Sequence, residues 1–419
     1  MLHSSSSPLR VVCLATLALA ILLSAAAQAQ TFHVIHNFTG GADGSTPYAG
    51  LTMDRGGNFY GTTGQGGTGT GCFFEQQGCG VVYKMSHSGQ SWILTPLHEF
   101  PGTSDPNDGD QPWGRVTFGP DGALYGTTLA GGQGSAGTVF RMTPPATSCK
   151  SALCYWNESV IYAFQGGFDG QYPLGDLFFD AAGHLFGITE NGGVFDNQCE
   201  QLTCGVVYEM QNSGQWTQSG IYDFNAQAFL PQSGVISDSA GNLYGTTFSG
   251  SSGGTVYQLV PIFGGYAANI VHTFSDGSPF GGLIMDSAGN LYGASQWGGL
   301  NGVGFIYELA RSGSSWDYTV LYNFPDDNGE PQSTLTMDAA GNLYGTTNGD
   351  YSRHIYGSVY KLTKSNGIWN YTALHNFTNG GDGGLPMWSG VTFDAAGNLW
   401  GTASGGGSDN LGVVWEITP

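Results

Sequence analysis

Aspartates in a recurring loop pattern are the first residues of this chain that could carry chemistry. Each stands near a glycine and a few residues before a proline, at Asp43, Asp108, Asp169, Asp276, Asp327 and Asp382. Carboxylate oxygens are preferred ligands of Ca²⁺, so these loops are weak candidates for calcium sites. The alternative is conformational, since glycine permits a tight turn and proline favours the start of an extended segment. Turn chemistry favours the second interpretation.

Aromatic residues follow that proline in only some of the loops. They are Tyr48, Trp113, Phe280 and, one residue further on, Trp388. Exposed aromatic rings stack well on sugar rings, so the four residues are candidates for a ligand-binding surface. The alternative is that they pack together and plug a central channel. The sequence leaves both interpretations open.

Six cysteines form three local pairs, Cys72 with Cys79, Cys149 with Cys154, and Cys199 with Cys204. Each pair brackets a short loop, which predicts three local disulfides in an oxidising compartment. A zinc site would need two pairs to converge.

Histidines recur at one position, but tyrosine replaces them in other copies. They are His36, His98, His272 and His375, against Tyr162, Tyr222 and Tyr322. Because these residues lie on separate strands, we expect packed side chains there and no shared metal. Two glycine-rich matches, at 132–137 and 250–254, lie in loops that no helix follows, so they predict neither nucleotide binding nor a nucleophile.

The elements that position these residues belong to a repeat. The string D-x-x-G-N-L-Y-G, with variations, occurs seven times, at 54–61, 119–126, 180–187, 238–245, 286–293, 338–345 and 394–401. Each copy is followed by a β-branched and aromatic string such as Gly80 to Met85, and six by a segment such as Trp92 to Phe100. Each unit therefore predicts four strands, A to D.

The fourth strand of the seventh unit is missing at the C-terminus. A matching segment occurs instead near the N-terminus, at Thr31 to Phe38. An N-terminal strand that completes the last unit would close a ring. We therefore predict an all-β fold, a seven-bladed β-propeller of four-stranded blades, as one domain over residues 30–419. The predicted blade cores are 50–100, 114–164, 174–224, 232–274, 281–324, 333–377, and 389–417 together with 31–38.

These motifs, D-x-x-G-N-L-Y-G-T-T followed by G-V-V-Y, resemble the GloVer (Gloeobacter/Verrucomicrobia-type) tandem repeat of exported bacterial proteins. The resemblance covers all seven units and implies export, but it supplies no catalytic residue. Anchored members carry surface-sorting tails, whereas this chain ends two residues after Ile417, so we expect release. A looser similarity to sugar-lactone hydrolases concerns the fold alone.

Composition and the N-terminus agree with export. Arg10 precedes an apolar run from Val11 to Leu23, and small residues around Ala29 suit cleavage, so residues 1–29 read as a signal peptide. The net charge of −21 argues against nucleic acid as a partner. We expect a secreted monomer, extracellular or periplasmic, without membrane insertion after cleavage.

The predicted function is a binding or interaction propeller for extracellular polysaccharide or another cell-surface protein. Its ligand face would carry the connections from strand B to C and from strand D to the next strand A. The alternative is a lactonase-like hydrolase or a lyase with a divalent ion on the axis, which would need polar side chains on the mostly apolar inner strands. A third interpretation is a purely structural envelope component.

Overall fold

A computed structural model describes residues 30–73, 78–89, 91–146, 154–196, 199, 203–325 and 328–418. The predicted signal peptide at 1–29 lies outside these residues, so it stays a prediction. The described chain is all β apart from one 3₁₀ turn, Tyr351–Arg353. No helix among the described residues is long and apolar enough to span a membrane.

Seven antiparallel sheets of four strands form the blades, each running from inner strand A to outer strand D. Blade 1 comprises β2 (Thr52–Met53), β3 (Phe59–Thr63), β4 (Val81–Ser88) and β5 (Ser91–Glu99). Blade 2 comprises β7 (Thr117–Phe118), β8 (Leu124–Thr128), β10 (Thr138–Thr143) and β11 (Asn157–Ala163). Blade 3 comprises β12 (Gln171–Phe179), β13 (Leu185–Asn191), β14 (Val206–Asn212) and β15 (Trp216–Asp223).

The remaining blades repeat this arrangement. Blade 4 comprises β16 (Ile236–Ser237), β17 (Leu243–Thr247), β18 (Thr255–Ile262) and β19 (Gly265–Thr273). Blade 5 comprises β20 (Ile284–Met285), β21 (Leu291–Ser295), β22 (Phe305–Ser312) and β23 (Ser315–Asn323). Blade 6 comprises β24 (Thr336–Met337), β25 (Leu343–Thr347), β26 (Ser358–Ser365) and β27 (Ile368–Asn376). Blade 7 comprises β28 (Thr392–Phe393), β29 (Leu399–Ala403), β30 (Val413–Thr418) and β1 (Thr31–Asn37).

The ring closes as the displaced strand predicts. Strand β1 pairs antiparallel with β30, with Phe32 opposite Ile417 and Asn37 opposite Val413. Blade 7 is also tied to blade 1, because the buried Thr402 hydroxyl donates to the Ala49 carbonyl at 2.8 Å. The N-terminal strand therefore covers an edge that would otherwise expose unpaired backbone groups. The seven-bladed propeller is confirmed.

The turns between strands A and B explain the conserved spacing within the repeat. In blade 1 the Asp54 carboxylate accepts bonds from the Gly56 and Asn58 amides and from the Asn58 and Tyr60 side chains, at 2.8 to 3.1 Å. Gly57 has a φ of +78°, in the left-handed region that glycine adopts without strain. Partial burial acts to raise the pKa of Asp54, but the bonds from Asn58 and Tyr60 lower it overall. This aspartate forms the turn.

The core lies between blades, in clusters that join neighbouring sheets. Between blades 7 and 1, for example, Phe59 stacks on Trp400 with ring centroids 4.5 Å apart, and Val414 packs into the same cluster. The inner strands of each blade are thus sandwiched between neighbouring sheets, as in a closed ring of twisted sheets.

The B–C and D–A connections lie on one face of the ring, which we call the loop face. Isolated bridges join the two loop types in several blades, at Ser45 with Gln65, Phe229 with Ser249, Pro279 with Ser295, and Gly384 with Gly405. In blade 2 the same contact is a small sheet of β6 (Gly109–Asp110) and β9 (Ala130–Gly131). This pairing holds the predicted ligand face in a defined shape.

Candidate functional site

A cavity of about 300 Å³ lies on the axis of the ring. Its wall is made by the first residues of the inner strands, and all seven blades contribute to it. Several of these residues are glycines, and their backbones approach closely: a Cβ on Gly50 would lie 3.0 Å from the Gly390 carbonyl oxygen. The glycines therefore set the width of the cavity, and the few large or polar side chains on its wall set its chemistry.

The four predicted aromatic residues converge at the end of this cavity nearest the loop face. Trp113 and Trp388 have ring centroids 5.1 Å apart, and Tyr48 lies 5.4 and 5.3 Å from them. Phe280 stacks on Trp388 from across the ring, at 5.7 Å and an interplanar angle of 10°. We call these four residues the mouth cluster. The predicted neighbours in blades 1, 2 and 7 do meet, and Phe280 of blade 5 joins them.

The mouth cluster is half-buried, so each ring packs and remains partly exposed. Trp113, Phe280 and Trp388 also line the cavity. Burial raises the pKa of Tyr48, which keeps its hydroxyl neutral. The geometry is therefore compatible with both interpretations of these aromatics, ligand binding and plugging of the channel. Rings that narrow the channel also present a surface to a ligand that enters it.

Two residues of the cavity wall carry buried polar atoms without hydrogen-bond partners. Gln332 occupies in blade 6 the position that Tyr48 occupies in blade 1; it is 6% exposed, and its Oε1 has no hydrogen-bond partner. The Trp388 Nε1 is likewise buried and unpartnered. A buried polar atom without a partner is costly. Both atoms are covered by protein, so a bound molecule would satisfy them only after their side chains turn towards the cavity.

An ion pair lies deeper on the axis. Arg115 of blade 2 and Asp176 of blade 3 approach to 2.6 Å, and their side chains are 35% and 38% exposed. Both residues also line a second recess of about 360 Å³, which includes Thr52, Thr117 and Thr392. Asp176 is the one carboxylate among the described residues of the cavity wall. An axial divalent ion, as the predicted enzyme alternative requires, would have to compete with Arg115 for it.

The predicted acidic residues each serve their own loop. Asp43 accepts from His36 at 3.0 Å, Asp382 from His375 at 3.0 Å, and Asp169 from the Tyr162 hydroxyl at 3.0 Å. The Asp108 carboxylate pairs with His98 at 3.0 Å, and Asp276 accepts from the Gly299 amide at 3.3 Å. Asp327 lies outside the described residues. These bonds are of the kind predicted if the aspartates stabilise the conformation of their loops. Calcium binding at these loops stays a prediction.

Two of the predicted disulfides are present, Cys72–Cys79 and Cys199–Cys204. Cys154 is also disulfide-bonded, whereas Cys149 lies outside the described residues. The first disulfide lies beside Asp110, which accepts from the Phe73 amide at 2.6 Å, and burial raises the pKa of Asp110 to about 6. The bridges close B–C loops on the loop face, in keeping with an oxidising compartment.

Sequence reasoning missed three features of these sites. It did not single out Gln332 or the Arg115–Asp176 pair, because neither belongs to the repeat. It also missed that the strand D histidine or tyrosine pairs with the loop aspartate. A sequence signal for this pairing exists. Seven residues separate His36 from Asp43, and the same number separates His375 from Asp382.

Two solved structures are similar to this chain at low sequence identity. A protein from Bacteroides uniformis, described as a candidate 6-phosphogluconolactonase, is 14% identical with a TM-score of 0.47, covering 77% of this chain and 83% of that one. PorZ, a surface component of the type-IX secretion system of Porphyromonas gingivalis, is 12% identical with a TM-score of 0.51, covering 89% of this chain and 46% of that one. At such identities the likeness concerns the fold alone. No curated protein sequence matches this chain.

The repeat itself identifies the family. The sequence model of the Gloeobacter/Verrucomicrobia repeat matches three overlapping segments, residues 20–199, 75–281 and 195–415. Together they span all seven blades. Repeat spacing, blade structure and these matches agree, and the chain belongs to the Gloeobacter/Verrucomicrobia repeat family.

Proposed function

We propose that this protein is an exported binding propeller whose ligand site is the axial cavity with its mouth cluster, and that the ligand is a saccharide unit of an extracellular polysaccharide. The observation that carries the proposal is the meeting of four aromatic rings from four blades above a cavity with unpartnered polar atoms.

The chemistry of the wall favours a hydroxylated ligand. A sugar hydroxyl both donates and accepts, so sugar hydroxyls suit the Gln332 amide and the Trp388 indole N–H once these side chains turn towards the cavity. The apolar faces of a sugar ring suit aromatic side chains, which keep two rotatable bonds and lose little entropy on binding. A cavity of about 300 Å³ has room for about one or two sugar residues.

Charge and location support the same class of ligand. A net charge of −21 repels nucleic acid and anionic lipid surfaces but leaves neutral polysaccharide unaffected. Disulfides and membership of a repeat family of exported proteins fit an extracellular location, where polysaccharide is abundant.

Retention on a glycan array, followed by calorimetry on the ligands found, tests the proposal. Trp113→Ala and Trp388→Ala should each weaken binding at least tenfold without lowering the melting temperature enough to unfold the protein at 25 °C. Phe263→Ala is the matched control, because Phe263 is a fully exposed aromatic in a C–D turn on the opposite face. Retention of no glycan, or equal binding by wild type and both tryptophan variants, would refute it.

A further inference from the structure

The outer strands of neighbouring blades contact one another around the ring, and the contact between blades 1 and 2 carries a carboxylate where three others carry an aromatic ring. We call each contact a seam. Strand D of one blade presents its histidine or tyrosine to a side chain near the start of strand D of the next blade. In three seams that side chain is an aromatic stacked on the ring: Phe32 on His375 at 3.6 Å, Tyr318 on His272 at 4.1 Å, and Tyr371 on Tyr322 at 5.0 Å.

The seam between blades 1 and 2 places a carboxylate at this position. Glu158 of β11 faces His98 of β5 and Asp108 of the following loop, and one ligand atom from each lies within 4.8 Å of the others. The Glu158 Oε1 is buried and has no hydrogen-bond partner. Asp108 and His98 are largely buried too, with side chains 11% and 18% exposed. A buried carboxylate oxygen without a donor, next to a second carboxylate, is unfavourable unless a cation or a proton joins them.

From this geometry we propose that His98, Asp108 and Glu158 form a divalent metal site, with Zn²⁺ as the preferred ion, that joins blades 1 and 2 at their outer edge. One imidazole and two carboxylates are a ligand set that zinc accepts, with a fourth position for water. Ligand atoms around tetrahedral zinc lie about 3.4 Å apart for bonds of about 2.1 Å. The His98 Nε2 and the Asp108 Oδ2, now 3.0 Å apart, need to separate only slightly to admit the ion.

The electrostatics of these three side chains agree with a cation. Burial, and then the negative charge of Asp108, raise the pKa of Glu158 to about 7. The charged form of Glu158 therefore lacks a stabilising partner, which a divalent ion between the two carboxylates would supply.

Another seam supplies the internal control. The seam between blades 6 and 7 has the same pair, His375 and Asp382 at 3.0 Å, but Phe32 stands where blade 2 has Glu158. An imidazole and one carboxylate without a third ligand should bind zinc far more weakly. The proposed site is independent of the axial cavity, so the two proposals can fail separately.

Calorimetric titration of the full mature chain with Zn²⁺ at pH 7.5, after removal of metals with EDTA, tests the site. We expect one tight site per chain, a rise in melting temperature with Zn²⁺, and a smaller response to Ca²⁺, which prefers oxygen ligands. Glu158→Gln, which keeps shape and removes the charge, should weaken Zn²⁺ binding at least tenfold, as should His98→Gln. Asp382→Asn should leave it unchanged.

Absence of Zn²⁺ binding by the wild type would overturn the proposal. So would unchanged binding by Glu158→Gln, or tighter binding of Ca²⁺ than of Zn²⁺. Melting temperatures of all variants in EDTA show that each is folded, so that a lost titration signal reports the site.

Discussion

Gly61 and Tyr83 lie directly opposite each other on strands β3 and β4, and the tyrosine ring occupies the space where a side chain on residue 61 would begin. A Cβ on Gly61 would lie 2.6 Å from the Tyr83 Cζ, which no real contact allows. The same cross-strand pair recurs at Gly187 with Tyr208 and at Gly245 with Tyr257. The glycine of L-Y-G and the tyrosine of G-V-V-Y therefore pack as one unit, which explains why the two motifs occur together.

Replacing such a glycine should destabilise its blade. Gly245→Ala forces Tyr257 to move within a packed core, since a Cβ would lie 2.5 Å from its Cζ, and should cost about 1–3 kcal/mol of unfolding free energy. Chemical denaturation measures this loss. Gly381→Ala is the control, because a Cβ there meets nothing within 4 Å. Equal stability of Gly245→Ala and wild type would show that the close approach is not required.

The hydroxyls of these tyrosines should be dispensable. The Tyr257 hydroxyl is fully buried, has no hydrogen-bond partner, and burial raises its pKa far above the usual range. Blade 2 already has Phe140 at this position, opposite Gly126. Tyr257→Phe should therefore leave the melting temperature unchanged or raise it.

The matched comparison is Tyr244→Phe, since the Tyr244 hydroxyl donates to Asp238 at 3.0 Å and accepts from Gln258 at 2.9 Å and from Arg311 at 3.0 Å. The Asp238 side chain is only 15% exposed, and loss of the bond to its carboxylate should cost about 1 kcal/mol in chemical denaturation. Greater damage from Tyr257→Phe than from Tyr244→Phe would contradict this view of the core.

Closure of the ring should depend on the bond between blades 7 and 1. Thr402→Val keeps the shape of the side chain but leaves the buried Ala49 carbonyl without its donor, which should cost about 1–3 kcal/mol. Thr402→Ser restores the hydroxyl and should recover most of the stability in the same unfolding experiment. Equal stability of the valine and serine variants would assign the effect to packing instead.

Stability should depend on pH through Glu158. Its pKa is raised to about 7 in the folded protein, from about 4.3 in the unfolded chain, so its contribution is full below pH 4 and is lost as the pH rises towards 7. In EDTA, Glu158→Gln should therefore melt only slightly above the wild-type temperature at pH 5 and a few degrees above it at pH 7.5.

Scanning calorimetry at the two pH values measures this difference directly. Comparison of variant with wild type cancels the titrating groups that do not interact with Glu158, including His272 and His375, whose pKa values burial lowers. A stability difference that is the same at pH 5 and pH 7.5 would exclude Glu158 as the group responsible. With Zn²⁺ present at pH 7.5 the order should reverse, because only the wild type keeps the full ligand set.

The repeat was enough to predict the ring because each blade is made by local contacts. The turn at Asp54, the glycine at 57 and the strand strings all lie within a few dozen residues, so their physical reasons can be read along the chain. Closure by Thr31–Asn37 was also predictable, since a four-strand unit lacking its fourth strand leaves one edge to be covered. Most inner strands are short: β2, for example, is only Thr52–Met53.

Both proposed sites depend on contacts between blades. The period of the sequence repeat does not encode such contacts. Phe280 and Trp388 are more than a hundred residues apart, and only the diameter of the ring, set by glycines such as Gly50, brings their rings to 5.7 Å. From the sequence alone, Glu158 is expected to be an exposed strand residue. In the structure it lies beside His98 and Asp108, in the seam between blades 1 and 2. The amino-acid sequence by itself determined the blade, the number of blades and the way the ring closes. The tertiary structure alone decided which side chains share a cavity or a seam, because those distances depend on how whole blades pack.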